Sequence, residues 1–224
     1  MIEAPRQLPL GLPHDPEFSR DSYVVTPTNA PALKLIDLWP NWPAPTLVLT
    51  GPLGAGKTHL AHIWAERSEA IFLRPDQLDE DQPGAAFATG AVVVDGLRPG
   101  AVPERALFHL LNAARELRGS VLLVSRQPVA DWRVALPDLL SRLRMAAALD
   151  LPQPDETLLR QVLVKLFADR QIIVEKSVVD FLLARMERSL ASAVRVVETL
   201  DREALTERRG ITRALAAQVL ARFE

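Results

Sequence analysis

Eight consecutive residues, Gly51-Pro-Leu-Gly-Ala-Gly-Lys-Thr58, have types and spacing that can do chemistry together. They fit G-x-x-x-x-G-K-[ST], in which a glycine-rich turn aims backbone N–H groups into one concavity at a helix N-terminus. Such a cradle stabilises phosphate charge. Lys57 is placed to reach the outer phosphates, and the Thr58 hydroxyl to hold Mg²⁺. Gly51, Pro52, Leu53, Gly54, Ala55 and Gly56 supply the cradle itself, so ADP or ATP with Mg²⁺ is the expected ligand.

Other chemistry-bearing positions lie at the ends of apolar runs. Ala91-Val-Val-Val-Asp95 reads as a buried strand ending in a carboxylate, which makes Asp95 the second expected Mg²⁺ residue, acting through water. Gly96 follows it. Ser120-Val-Leu-Leu-Val-Ser125 reads as another strand, and Ser125 at its carboxyl end can approach a phosphate or serve as a helix cap. His59 and His62 stand three apart on the loop's own helix without further ligands, which argues against zinc. Asp79, Glu80 and Asp81 read as a solvated loop.

Positioning these groups requires alternating strands and helices. Apolar runs at 46–50, 70–73, 91–95, 120–125 and 146–151 predict five strands, interleaved with helical periodicity at 29–38, after 57, at 104–118 and at 136–144. Tyr23-Val-Val25 reads as a further short β-type run. From Asp155 onward only helical spacing remains, over 175–187, 190–206 and 212–223 as well as the first helix from 155. The expected fold class is therefore α/β, a nucleotide-binding domain over 22–152 with a five-stranded parallel sheet, followed by a small all-helical domain over 153–224. Residues 1–21, with four prolines and no amphipathic period, read as a flexible tail.

Composition narrows the function classes. Hydrophobic residues at 48% and charged residues at 24% suit a globular protein with a real core. The chain has no cysteine, no leader-like apolar stretch and no run of about 18 apolar residues, so a cytoplasmic protein without a membrane partner is expected. A net charge of −2 gives little general affinity for nucleic acid, so any contact with DNA is expected to be indirect.

The ordered set resembles the AAA+ ATPases, in which a five-strand nucleotide domain carries a helical lid. Within them, Gly56-Lys-Thr-His-Leu60 is similar to the bacterial replication initiator DnaA and its shorter relatives, and it adds His59 to the expected nucleotide contacts. Tyr23-Val-Val25 with Asn29 resembles that family's leader, which packs against the adenine. Ser141-Arg142-Leu143, followed by Pro152-x-Pro154-Asp-Glu, resembles its arginine-finger region, making Arg142 the expected catalytic residue, acting in trans. The resemblance places the lid's sensor arginine near Ala191; Arg188 and Arg195 lie about one turn to either side, Arg195 is counted among the expected nucleotide contacts, and which of the two serves as sensor stays open. Where efficient family ATPases place a glutamate after the strand aspartate, this chain has Gly96, which has no side chain to position water.

Gln7-Leu-Pro-Leu-Gly-Leu12 resembles the short motif by which bacterial replication proteins dock into the sliding clamp, with Gln7, Leu8, Leu10 and Leu12 as contacts. The alternative is a leader folded back on its own domain. The initiator's C-terminal DNA-reading domain and N-terminal interaction domain have no counterpart in this sequence. The resemblance thus implies a regulatory homologue that binds the clamp and stimulates ATP hydrolysis by DnaA. A self-hydrolysing ATPase or loader, an adaptor with a vestigial nucleotide site, and a head-to-tail or isologous homo-oligomer remain open at this level. A small-molecule P-loop kinase fits the helical C-terminal part less well.

Overall fold

The computed structural model describes residues 18–207 and 209–223, so Gln7, Leu8, Leu10 and Leu12 lie outside the described residues. These divide into two compact units, 18–155 and 156–223.

In the first unit the chain runs α1 (Ala30–Asp37), β1 (Thr46–Thr50), α2 (Lys57–Ser68), β2 (Ile71–Leu73), β3 (Ala91–Leu97), α3 (Glu104–Glu116), β4 (Ser120–Ser125), α4 (Pro137–Met145) and β5 (Ala147–Asp150). All five strands are parallel, in the spatial order β2-β3-β4-β1-β5. A parallel sheet covered on both faces needs continuous apolar strands, and Ala91–Val94 and Val121–Val124 meet that need by being buried throughout. Side chains still alternate between faces. Leu47 and Leu49 pack with Leu60, Ala61 and Trp64 of α2 and with Ile36 of α1. Val48, Val92 and Val94 pack with Leu107 and Leu110 of α3 and with Leu139 and Leu143 of α4. The result is three layers with every strand's carboxyl end at one edge.

Tyr23–Val25 is not a strand. No sheet edge receives it; its backbone is held instead by the Asn29 side chain, whose Oδ1 accepts from Thr26 N (2.8 Å) and whose Nδ2 donates to Val24 O (2.9 Å). The acidic stretch after β2 is punctuated by short 3₁₀ turns at Pro75–Gln77 and Pro83–Phe87.

The second unit comprises α5 (Glu156–Asp169), α6 (Lys176–Leu183), α7 (Leu190–Glu207) and α8 (Arg213–Leu220). Their apolar stripes meet in one core, with Leu163, Leu182, Val197, Leu200 and Val219 fully buried. At about 1.5–3 kcal/mol per buried side chain, this burial outweighs the roughly 1 kcal/mol of the Thr212 cap, whose Oγ1 accepts from Leu215 N. Among the described residues no helix is long and apolar enough to cross a membrane.

Candidate functional site

The phosphate loop begins where β1 ends, and its shape follows from what presses on it. Leu151, just after β5, donates its N–H to Thr50 O (2.8 Å), which brings the Leu151 carbonyl against Gly51. A Cβ at Gly51 would lie 2.2 Å from that oxygen, and φ is +147°, so only glycine fits. Gly54 and Gly56 take left-handed conformations at φ +72° and +99°, and Gly56 is the N-cap of α2.

Lys57, buried to 8% exposure, donates from Nζ to the Gly51 and Pro52 carbonyls at 2.7 Å each. Burial lowers its pKa; the Asp95 and Asp150 carboxylates oppose the shift and the Arg126 charge adds to it. The ammonium is thus satisfied by oxygen acceptors across the loop mouth, the kind of partner a phosphate also offers.

Thr58 Oγ1 donates to Asp95 Oδ2 at 2.8 Å, joining the first turn of α2 to the end of β3. One hydroxyl and one carboxylate leave most of a coordination shell to phosphate and water, which fits Mg²⁺ better than an all-protein cation cage. Among the described residues no group of three or more His, Asp or Glu side chains could hold a metal ion. The ladder between β3 and β4 breaks after Asp95–Val124 and resumes at Leu97–Ser125. Gly96 is the residue pushed out, at φ +98°. The bulge leaves position 96 in a conformation that L side chains rarely adopt.

The other expected contacts fall into different surroundings. Ser125 is 2% exposed and its Oγ accepts from Gln127 N (3.3 Å), which uses it in the turn after β4 while leaving its own O–H to donate. His59 is engaged by the leader: its Nε2 lies 2.8 Å from Ser19 O and 3.2 Å from Ser22 Oγ, and its ring meets Tyr23 edge-on at 5.0 Å. Tyr23 is buried, which raises its phenol pKa, and both ends of the Asn29 amide hold leader backbone. Val25 is 49% exposed. His62 is stacked between Phe18 and Phe72, at 4.6 and 4.4 Å between centroids.

Arg142 is half-buried in the last turn of α4, between the buried Leu139 and Leu143. The Glu104 carboxylate fixes the entry to this helix by accepting from Ala135 N (2.8 Å) and Leu136 N (2.6 Å). Five residues after Arg142, Ala147 pairs with Leu47 at the amino end of β1. The phosphate loop starts beyond Thr50, about 13 Å of strand further on. Arg142 therefore sits toward the opposite edge of the sheet from Lys57, and it makes no ion pair with a carboxylate among the described residues. In the helical unit, Arg195 lies on α7 with Nη2 3.7 Å from Glu187 Oε2 and its guanidinium 5.7 Å from the Phe223 ring, while Ala191 is exposed one turn earlier.

Two charged residues at this edge have no motif in the sequence to single them out. Asp150, at the end of β5, accepts from Thr50 Oγ1 (3.0 Å), and Arg126 directly follows β4. Their common signal is position: each stands at the carboxyl end of a parallel strand, where ligands of open α/β sheets gather.

Residues 155–220 match the family model described as "Hda, lid domain". Among solved structures, domain III of the replication initiation protein DnaA from Thermotoga maritima is 17% identical, with a TM-score of 0.77 over 93% of this chain and 98% of that one. AMPPCP-bound DnaA from Aquifex aeolicus is 16% identical, with a TM-score of 0.68 over 87% of this chain and 70% of that one. The Thermotoga maritima RuvB Holliday junction branch migration motor is 15% identical, with a TM-score of 0.69 over 91% and 71%. At these identities the likeness is one of fold.

Proposed function

We propose, from the match of residues 155–220 to the Hda lid-domain model and from a fold like that of DnaA domain III, that this chain is a regulator of replication initiation that acts on another protein's nucleotide. In this reading residues 22–152 bind ADP or ATP with Mg²⁺ through Gly51–Thr58 and Asp95, with Tyr23, Val25, Asn29 and His59 shaping the adenine side. The tail docks into the sliding clamp through Gln7, Leu8, Leu10 and Leu12, and DNA is met only through the clamp and the initiator. Arg142 enters the nucleotide site of an adjacent DnaA and stabilises charge on the phosphoryl group being transferred. Arginine fingers supplied in trans raise such rates by about 10³–10⁵. The setting is cytoplasmic.

The observation that carries the reading is an asymmetry between the chain's own site and its arginine. Lys57, Thr58 and Asp95 are arranged for binding, whereas the residue after Asp95 is a bulged glycine that presents no carboxylate to a water. Arg142 stands on α4, which leads into the amino end of β5, and in this reading it serves a neighbour rather than the chain's own loop. A self-hydrolysing ATPase or loader would need the group that Gly96 lacks. An adaptor with a vestigial pocket would leave the burial of Lys57 among loop carbonyls without a purpose. The test is ATP hydrolysis by DnaA with clamp loaded on DNA, with and without this protein, alongside turnover by this protein alone. Stimulation with negligible turnover supports the proposal; turnover by the isolated chain with no effect on DnaA overturns it.

A further inference from the structure

Two arginines of the helical unit are left over from its ion pairing. Arg185 follows α6 and Arg213 opens α8, with their guanidinium carbons 4.1 and 5.5 Å from the centre of the Phe181 ring. Both arginines are exposed, and the ring is half-buried against the core of the unit. The two charges are thus within about 10 Å of each other, about one Debye length at 0.1 M salt, and they repel. The described carboxylates of the unit are all engaged elsewhere. On α5, Glu156 pairs with Arg160 and Asp169 with Lys165. Glu175, the N-cap of α6, accepts from Ser177 Oγ; Asp180 holds Arg160 and Lys176, and Glu187 faces Arg195. On α7, Glu198 and Asp201 flank Arg170, Glu203 holds Arg222 and Glu207 holds Arg209. Neither Arg185 nor Arg213 makes an ion pair among the described residues.

The chain also carries the complement. Asp79, Glu80 and Asp81, between β2 and β3, are exposed and make no ion pair among the described residues, whereas the nearby Asp76 is taken by Arg74. Asp79 Oδ1 accepts from Asp81 N (2.8 Å) and Gln82 N (3.2 Å), so a fixed turn presents these carboxylates. We propose that the arginine pair at Phe181 docks the acidic turn 79–81 of a second copy of this chain. The two surfaces differ, so the contact is heterologous and joins copies head to tail. A guanidinium offers a carboxylate two parallel N–H···O bonds, and the phenyl ring against it excludes water from one face. Two guanidinium groups on a chain of net charge −2 neutralise too few phosphates to hold nucleic acid instead. Exposed ion pairs are individually weak and are screened by salt, so the association is weak and salt-sensitive. It does not depend on the nucleotide reading above.

The test is sedimentation velocity of the full chain at concentrations rising toward millimolar, in about 0.05 M and about 0.5 M NaCl. Two charge-reversed variants are run beside it, Arg185→Glu with Arg213→Glu, and Glu80→Lys with Asp81→Lys, the second leaving Asp79 to hold the turn. Thermal unfolding of each establishes that it folds. The wild-type average mass should rise with concentration in low salt and much less in high salt. Each variant alone sets like charges against each other and should associate at least about tenfold more weakly. An equal mixture of the two variants pairs opposite charges again and should regain association. A wild-type chain that stays monomeric at every concentration overturns the proposal, as does association that either variant leaves unchanged. A mixture of folded variants that fails to regain association also overturns it, by removing the pairing of these two surfaces.

Discussion

Single residues decide which chemistry this chain can perform. Gly96 is the clearest case: its φ of +98° belongs to a bulge, so the missing carboxylate reflects a local backbone different from that of a regular strand end. His62 shows how far the leader is bound to the phosphate-loop helix. Its ring lies between Phe18 and Phe72, and burial lowers its pKa from the usual 6.5, with the Asp95 charge opposing. The unfolded chain therefore takes up a proton before the folded one does. Stability falls as pH drops through about 6.5 toward the folded-state value, and no further from this group below it. His62→Phe keeps an aromatic ring and removes the titration. Its melting temperature should fall less than the wild type's between about pH 7 and pH 5.5, and equal falls would contradict the account.

At the scale of elements, the phosphate loop depends on the strand beside it as much as on its own glycines. The Leu151 carbonyl closes over Gly51 because Leu151 N–H bonds Thr50 O at the end of the β1–β5 pairing. Gly51→Ala puts a methyl group into that carbonyl. The α/β unit should lose more than about 2 kcal/mol in urea unfolding, with nucleotide binding lost alongside; a loss under about 0.5 kcal/mol would refute this packing. Strand, loop and helix at 46–68 were legible in the sequence because an apolar run, a glycine motif and helical spacing follow in order. The five parallel strands were legible because buried strands read as continuous apolar runs. Tyr23–Val25 departs from its β-type expectation because β-branched residues carry strand propensity wherever they occur, and here the Asn29 amide overrides it. Asp150 and Arg126 are not legible in the sequence because a strand end becomes a site only when neighbouring strands are set beside it. The bulge at Gly96 was equally hidden, since register is a property of pairs of strands.

For the whole molecule, the account divides labour between a nucleotide held in cis and an arginine offered in trans. Clamp attachment would bring Arg142 to initiators on DNA that a net charge of −2 gives the chain little means to approach alone. Changing Gln7 and Leu10 together to alanine should abolish co-purification with the clamp while leaving nucleotide affinity intact, and retained clamp binding would remove the tail from the mechanism. The match of residues 155–220 to the Hda lid model and the fold likeness to DnaA domain III support the proposed partner class, and the proposed direction of action rests on where α4 places Arg142. The most direct measurement is the rate of ATP hydrolysis by DnaA on clamp-loaded DNA, with wild-type protein and with Arg142→Ala at matched occupancy. The account predicts that the variant still binds nucleotide and clamp but loses stimulation by about a hundredfold or more. Undiminished stimulation by Arg142→Ala would contradict it.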